Sequence, residues 1–147
     1  MFRKLIQTDD ELASLVARVA LGVVMFPHGA QKVLGWFGGA GLSGTMEMFS
    51  SMGMPAVMAA LIIVAEFFPA LGLIFGFLGR LCAGASGMLM LGAIFMVHLP
   101  YGFFMNWFGN QPGEGFEYHI LAIGLAIAVL IKGSGKWSVD RLLTARV

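Results

Sequence analysis

Residues 12–35 read LASLVARVALGVVMFPHGAQKVLG, and this stretch decides the class of protein. It is long and apolar enough to cross a bilayer, because a spanning helix needs about 20 mostly apolar residues. It also carries Arg18, His28 and Lys32. A central Arg or Lys costs about 2.5–3.5 kcal/mol on membrane-insertion scales, so such groups usually face a polar partner or a wet cavity. Other helices of the chain are therefore expected to supply those partners.

The composition indicates a membrane protein along the whole chain. Of the 147 residues, 59% are hydrophobic and 12% are charged, whereas soluble domains carry about 25% charged residues. The net charge of +1 provides no basic field that would attract nucleic acid. The single cysteine, Cys82, excludes an internal disulfide, a CxxC redox pair and a cysteine-only metal site.

Four apolar runs predict an all-α fold, in which residues 1–147 form one membrane domain built as a bundle of four transmembrane helices. The predicted spans are residues 12–34, 55–78, 81–99 and 116–131. Residues 35–54 form the first long loop and predict an interfacial or re-entrant segment. Within that loop, residues 45–52 have the pattern of a short amphipathic helix.

The basic residues predict the orientation of the chain, because cytosolic loops carry an excess of Lys and Arg. With these spans, one side of the membrane holds only Lys32, at the end of the first span. The other side holds Arg3, Lys4, Arg80, Lys132, Lys136, Arg141 and Arg146. A multi-pass protein with both termini in the cytosol is therefore expected, and its two long aromatic loops lie outside.

Two charged residues lie deep in the predicted spans. Arg18 is about 9 Å from the cytosolic boundary of span one, and Glu66 is about 14 Å from the same face, at 1.5 Å per residue in a core about 30 Å thick. This similar depth predicts an Arg18–Glu66 ion pair within the membrane. The pair either fixes the register of two helices or gives Glu66 a role in moving protons or substrate.

A second set of polar and aromatic residues lies near the outer face and predicts a ligand-binding pocket there. His28 and Lys32 are four apart and share a helix face, whereas Glu117 and His119 are two apart and do not. We expect Glu117, rather than His119, to join the cluster by pairing with Lys32. The alternative is that each histidine is an ordinary interfacial residue. The predicted pocket residues are His28, Lys32, Trp36, His98, Tyr101, Glu117 and His119, with Tyr118 beside them.

The histidines do not predict a metal site. Imidazole suits zinc, copper or iron, but helix-bundle metal sites usually show ligand pairs such as ExxH on one helix. The three histidines, His28, His98 and His119, form no such pair and no HxxxH pair. No metal is therefore expected.

An ordered set of motifs resembles the DoxX family of small four-helix membrane proteins. The set runs in order along nearly the whole chain, although each motif is short. It comprises Arg18-x3-Gly22, His28-Gly29-x2-Lys32, GWFGGAGLSGT at 35–45, MGMP at 52–55, Glu66, EY at 117–118 and GSGKWSVDRLL at 133–143.

The resemblance implies a protein of the bacterial cytoplasmic (inner) membrane. The family takes its name from a subunit of a thiosulfate:quinone oxidoreductase, and other members look like membrane partners of redox or thiol-stress enzymes. A redox-linked membrane subunit is the first expectation. In it, a quinone lies in the outer pocket, His28 or Lys32 binds a carbonyl oxygen, and Trp36 or Tyr101 stacks on the ring.

Two other functions stay open at this point. The chain could be a non-enzymatic membrane scaffold that docks a partner enzyme, with its buried charges serving only the bundle. It could also be a permease for protons or a small solute, with Arg18 and Glu66 as a relay. A permease of this size would need a homo-oligomer, because four spans alone form a poor pathway. The sequence does not decide whether the chain is catalytic or which cofactor it binds, with a quinone as the candidate.

Overall fold

The computed structural model describes residues 2–145, and within that range the chain is all α, as predicted. Helix α5 continues through one π-helical turn, Ile94–His98, and a short 3-10 turn, Leu99–Tyr101. The helices are α1 Phe2–Ile6, α2 Leu12–Val33, α3 Gly41–Ser51, α4 Ala56–Phe75, α5 Gly79–Ala93, α6 Glu117–Lys132 and α7 Val139–Thr144.

The four long helices form a closed ring in which α2 packs on α4 and α6, and α5 packs on the same two helices. Leu21, Met25, Leu73 and Val129 belong to the buried core between them. The end of the bundle that carries α1, α7 and the α4–α5 turn is the terminal end. The end that carries the loops at 34–55 and 102–116 is the loop end.

Three helical segments among the described residues are long and apolar enough to cross a membrane: Leu12–Val33, Ala56–Phe75 and Gly79–Tyr101. Their mean hydropathies are 1.5, 2.4 and 1.7. Helix α6 has 16 residues, which corresponds to about 24 Å at 1.5 Å per residue. The crossing of this fourth helix, and with it the count of four spans, stays a prediction.

The predicted short helix of the first long loop is present but begins earlier than expected. Helix α3 covers Gly41–Ser51 rather than residues 45–52. The buried Thr45 donates a hydrogen bond of 3.3 Å to the Lys32 carbonyl and so ties α3 to the end of α2. That this segment is interfacial or re-entrant stays a prediction.

The basic side of the predicted topology corresponds to the terminal end. Arg80 donates to the carbonyls of Gln7 and Leu130 there, and Lys132 forms an ion pair of 2.9 Å with Glu11. Arg146 lies outside the described residues. The direction in which this end faces stays a prediction.

Close contact between α2 and α4 depends on two glycines of α2. A Cβ added at Gly29 would lie 2.7 Å from the Phe67 Cα, and one added at Gly22 would lie 3.0 Å from the Ala70 carbonyl oxygen. Small residues allow backbones to approach in membrane bundles. Since these contacts run in opposite directions along the two helices, α2 and α4 are antiparallel neighbours with a fixed register.

This close contact predicts opposite effects for two glycine substitutions. Gly29→Ala forces α2 away from the α4 backbone and should lower the free energy of unfolding by about 1–3 kcal/mol. The matched control is Gly124→Ala in α6, where an added Cβ meets nothing within 4 Å. That change should be neutral or stabilising by up to about 1 kcal/mol through helix propensity. Unfolding in mixed micelles measures both, and equal effects would contradict the proposed helix contact.

Candidate functional site

Arg18 is held by backbone carbonyls at the terminal end of the bundle. Its side chain is buried, and all five of its N–H donors are used. Nη1 donates to the Leu73 and Ile74 carbonyls at 2.9 and 2.6 Å. Nε donates to the Ser134 carbonyl at 2.6 Å, and Nη2 donates to the carbonyls of residues 136 and 137 at 3.0 and 2.9 Å. The guanidinium therefore joins the end of α4 to the turn that follows α6.

Asp140 completes this polar region from α7. Its carboxylate accepts hydrogen bonds from the backbone N–H groups of Leu78 and Gly79, at 2.7 and 2.9 Å, and from the Ser134 hydroxyl at 2.6 Å. Ser134 thus contacts Arg18 through its carbonyl and Asp140 through its hydroxyl. Charge in this buried region is balanced by a hydrogen-bonded network rather than by a direct ion pair.

The predicted Arg18–Glu66 ion pair is wrong. Glu66 instead forms an ion pair with Lys32, whose Nζ lies 2.8 Å from its Oε1. The α2–α4 register explains the difference, because Gly29 packs beside Glu66 and Phe67 while Arg18 lies beside Leu73 and Ile74. Seven or eight residues of helix separate these levels on α4, which is about 11 Å.

A cavity of about 790 Å³ lies between the four long helices at the loop end. Its polar lining includes four of the seven residues predicted for the pocket: His28, Lys32, His98 and His119. Glu66, Glu114 and Tyr118 line it as well. The binding role of these residues stays a prediction.

The walls of the cavity are mainly apolar and unusually rich in methionine. Met58 and Leu61 of α4 and Met88 of α5 line it and are 48%, 64% and 69% exposed. Because these residues face both the cavity and the surroundings, the cavity opens sideways between α4 and α5. In a membrane, this opening faces lipid.

The Lys32–Glu66 pair forms one polar part of the cavity lining. The Glu66 side chain is 9% exposed and that of Lys32 is 24% exposed. Lys32 projects from the last turn of α2, and Glu66 comes from the middle of α4. The Lys32 ammonium has protons left after it pairs with Glu66, so it can donate hydrogen bonds to a group that enters the cavity.

His98 and His119 form a second polar part of the cavity lining. Their ring centroids are 4.1 Å apart at an interplanar angle of 45°. His98 ends the π-helical turn, a feature often found at functional sites, and its Nδ1 lies 2.8 Å from the Glu114 carbonyl oxygen. A carbonyl only accepts, so Nδ1 carries the proton. The buried His119 Nδ1 has no hydrogen-bond partner among the described residues.

The other three predicted pocket residues do not line the cavity. Trp36 packs edge-on against Phe26, with ring centroids 6.4 Å apart, and Tyr101 lies against Gly113 in the second loop. The predicted Lys32–Glu117 pair is wrong, because the Glu117 carboxylate accepts from the Met105 backbone N–H at 2.9 Å and from Trp107 Nε1 at 3.2 Å. Glu117 therefore orders the loop, and His119 is the residue of the two that joins the cluster.

Sequence reasoning missed the methionine content of the site. Met25, Met52, Met54, Met58, Met88, Met90, Met96 and Met105 all line the cavity. They are eight of the eleven methionines of the chain. Their spread over four separate segments hid the cluster, and only the high total number hinted at it.

This helical bundle, with a polar cluster beside an apolar lateral cavity, has the form of a small integral membrane protein. A family model described as DoxX matches residues 13–99, so the chain belongs to the DoxX family. The resemblance inferred from the motifs is therefore confirmed.

Two curated relatives agree with this assignment. "Inner membrane protein YqjF" of Escherichia coli (strain K12) is 28% identical over 137 residues, which is 93% of this chain and 96% of that protein. "Putative oxidoreductase CatD" of Bacillus subtilis (strain 168) is 29% identical over 119 residues, covering 81% and 79% of the two chains. No solved structure matches the chain. Together with the apolar helices, these findings support a bacterial inner-membrane protein.

The five hydrogen bonds of Arg18 predict that lysine cannot replace it. A lysine ammonium has three donors, so at least two of the five carbonyls would lose their partner. Each buried acceptor left unpaired costs about 1–3 kcal/mol, so Arg18→Lys should lower the free energy of unfolding by at least about 2 kcal/mol. The control is Arg3→Lys at an exposed position, expected within about 0.5 kcal/mol of wild type. An Arg18→Lys protein as stable as this control would refute the role of the carbonyl network.

Proposed function

We propose that this protein is the membrane subunit of a quinone-linked redox system and that the cavity at the loop end holds the quinone. The observation that carries the proposal is a cavity of about 790 Å³ with apolar walls and hydrogen-bonding side chains at its inner surface. Small-molecule sites typically combine a largely apolar lining with a few polar groups that fix the ligand.

The headgroup of a quinone fits the part of the cavity beside Lys32. Its two carbonyl oxygens accept hydrogen bonds, and the Lys32 ammonium and the His28 imidazole can both donate them. Glu66 neutralises Lys32 at 2.8 Å, so an uncharged ligand meets an oriented donor rather than an unbalanced charge. Trp36 and Tyr101 lie outside the cavity lining, so the flexible methionine side chains, together with Phe49 and Tyr118 of the lining, would pack on the quinone ring.

The lateral opening suits a ligand that arrives from the bilayer. Membrane quinones carry a long apolar chain, and the gap between α4 and α5 lets such a chain remain among the lipid tails. Met58, Leu61 and Met88 on the rim present apolar surface to it. Because the ligand comes from lipid rather than from water, van der Waals packing against this surface would contribute to binding.

Reduction of a quinone to a quinol takes up two electrons and two protons. Imidazole groups such as His28 can pass protons near neutral pH. The electrons would come from a partner redox enzyme, and the chain would bind and orient the quinone. The name of the B. subtilis relative, "Putative oxidoreductase CatD", agrees with a redox setting.

A scaffold that docks a partner enzyme is the second candidate, and the second loop gives a specific reason for it. Trp107 and Phe108 are 78% and 89% exposed at its tip, while the Glu117 carboxylate accepts hydrogen bonds from the Met105 backbone N–H and the Trp107 indole of the loop. A loop that presents two exposed aromatic rings can anchor a protein partner. In either case, we propose that both termini face the cytosol.

The quinone proposal predicts that one lysine–glutamate pair controls binding and the other does not. Purified protein in mild detergent should bind a short-chain quinone saturably, and Lys32→Ala combined with His28→Ala should weaken binding by at least about tenfold, or about 1.4 kcal/mol. Lys132→Ala is the matched control, because it removes the Lys132–Glu11 pair at the opposite end of the bundle. Isothermal titration calorimetry measures the affinities, and mass spectrometry identifies any quinone that co-purifies.

The absence of saturable quinone binding, or equal effects of the two pairs, would reject the quinone site. If binding is absent and changes at Trp107 and Phe108 abolish co-purification of a partner enzyme, the scaffold function is the better account.

A further inference from the structure

The methionines and histidines of this chain converge on one cavity. All three histidines line it, together with eight of the eleven methionines. Of the other three methionines, Met46 and Met48 are on α3 outside the cavity lining, and Met1 lies outside the described residues. Exposed apolar side chains outside the cavity lining are mainly Val, Leu, Ile and Phe, with Met48 among them, so exposure to lipid does not by itself account for this concentration of sulfur.

Most of the side chains that could bind a cation in the cavity are electrically neutral. Three nearby carboxylates accept hydrogen bonds: Glu66 from Lys32 Nζ, Glu117 from Met105 N and Trp107 Nε1, and Glu114 from Asn106 N at 2.7 Å. The carboxylates keep their charge, but three imidazoles and eight thioethers outnumber the two carboxylates of the cavity lining, Glu66 and Glu114. Hard cations such as Mg²⁺ and Ca²⁺ need oxygen ligands, whereas thioethers select soft cations such as Cu(I).

The pair of His98 and His119 supplies two imidazole nitrogens that can bind a cation. His98 Nδ1 donates its proton to the Glu114 carbonyl, which leaves the lone pair on Nε2 free. A metal-binding histidine is usually oriented in this way, by a hydrogen bond from its other ring nitrogen to a carbonyl or carboxylate. His119 is 5% exposed, and its Nδ1 is buried without a partner among the described residues. The ring centroids are 4.1 Å apart, so the two imidazoles are in direct contact at one place in the cavity.

Two methionines, Met25 and Met105, line the same cavity as this histidine pair. The Met25 sulfur is 3.9 Å from the Tyr118 hydroxyl, and the Tyr118 ring is 5.3 Å from the His119 ring. Met105 is positioned from the loop side, because its backbone N–H is bound to Glu117, two residues before His119. We propose that His98, His119, Met25 and Met105 form a binding site for a soft monovalent cation, Cu(I) or its analogue Ag(I).

The site differs from metal centres built from acidic or thiol ligands. Within residues 2–145, no group of three or more His, Cys, Asp or Glu side chains is arranged to hold a metal ion. A set of two imidazoles and two thioethers is outside that class. It carries no charge of its own, so it suits a monovalent ion better than Zn²⁺.

Competition for Cu(I) tests the proposal on the purified full chain in detergent. The protein, under anaerobic conditions, should retain one Cu(I) per chain against the chelator bicinchoninate, and excess Zn²⁺ should not displace it. His98→Ala and His119→Ala should each weaken retention of Cu(I) by at least about tenfold. Even the loss of a group that only hydrogen-bonds a metal ligand costs about 10- to 100-fold in metal affinity. Met25→Leu with Met105→Leu should also weaken it, whereas the control pair Met46→Leu with Met48→Leu should not.

X-ray absorption of the Cu(I) complex provides a readout that does not depend on the folding of variants. Both nitrogen and sulfur scatterers are expected around copper. A first shell of nitrogen alone, loss of all Cu(I) to the chelator, or wild-type retention by the His98→Ala, His119→Ala double variant would each overturn the proposal. Cu(I) retention by the His98→Ala, His119→Ala double variant and quinone binding by the His28→Ala, Lys32→Ala double variant are measured separately, so failure of the copper site and failure of the quinone site are distinguishable.

Discussion

The structure depends on one buried cation that is satisfied without a carboxylate. Helix α4 ends at Phe75, where Gly76 takes a left-handed conformation with φ of 66°, and a helix end leaves carbonyls without partners. Arg18 of α2 fills that need at Leu73 and Ile74 and adds three bonds to the turn after α6. One side chain therefore connects three helices at the terminal end. This bonding uses a full set of donors, so the guanidinium has none left for a ligand or a proton relay.

The opposite end of the bundle carries the features that suit function. There the α2–α4 contact brings Lys32 to Glu66, the π-helical turn brings His98 to His119, and the cavity opens towards lipid between α4 and α5. A firmly bonded terminal end and a loop end with a lateral cavity form a division of roles within one small bundle. This division favours a binding function at the loop end over a transport path through the whole bundle, because Arg18 and Glu66 do not form a relay.

Much of the fold follows from the sequence, but the pairing of polar groups does not. Hydrophobic patterns that can be read from one sequence predict the all-α class, the three long apolar helices and the helix in the first long loop. The sequence does not identify Lys32 as the partner of Glu66, because depth counted from assumed helix ends cannot give the register, which the contact of Gly29 with Phe67 sets. The choice of His119 over Glu117 depends on the loop that binds Glu117, and long-range contacts of this kind leave no local pattern.

A pair of double-mutant cycles shows whether Glu66 is coupled to Lys32 and not to Arg18, as the ion pair of 2.8 Å indicates. Unfolding free energies would be measured for Glu66→Gln combined with Lys32→Met, and for Glu66→Gln combined with Arg18→Lys. Residues in contact typically couple by about 0.5–3 kcal/mol, whereas distant sites add within about 0.5 kcal/mol. We expect a coupling of at least about 1 kcal/mol in the first cycle and additivity in the second. Strong coupling of Arg18 to Glu66 with none for Lys32 would contradict this expectation.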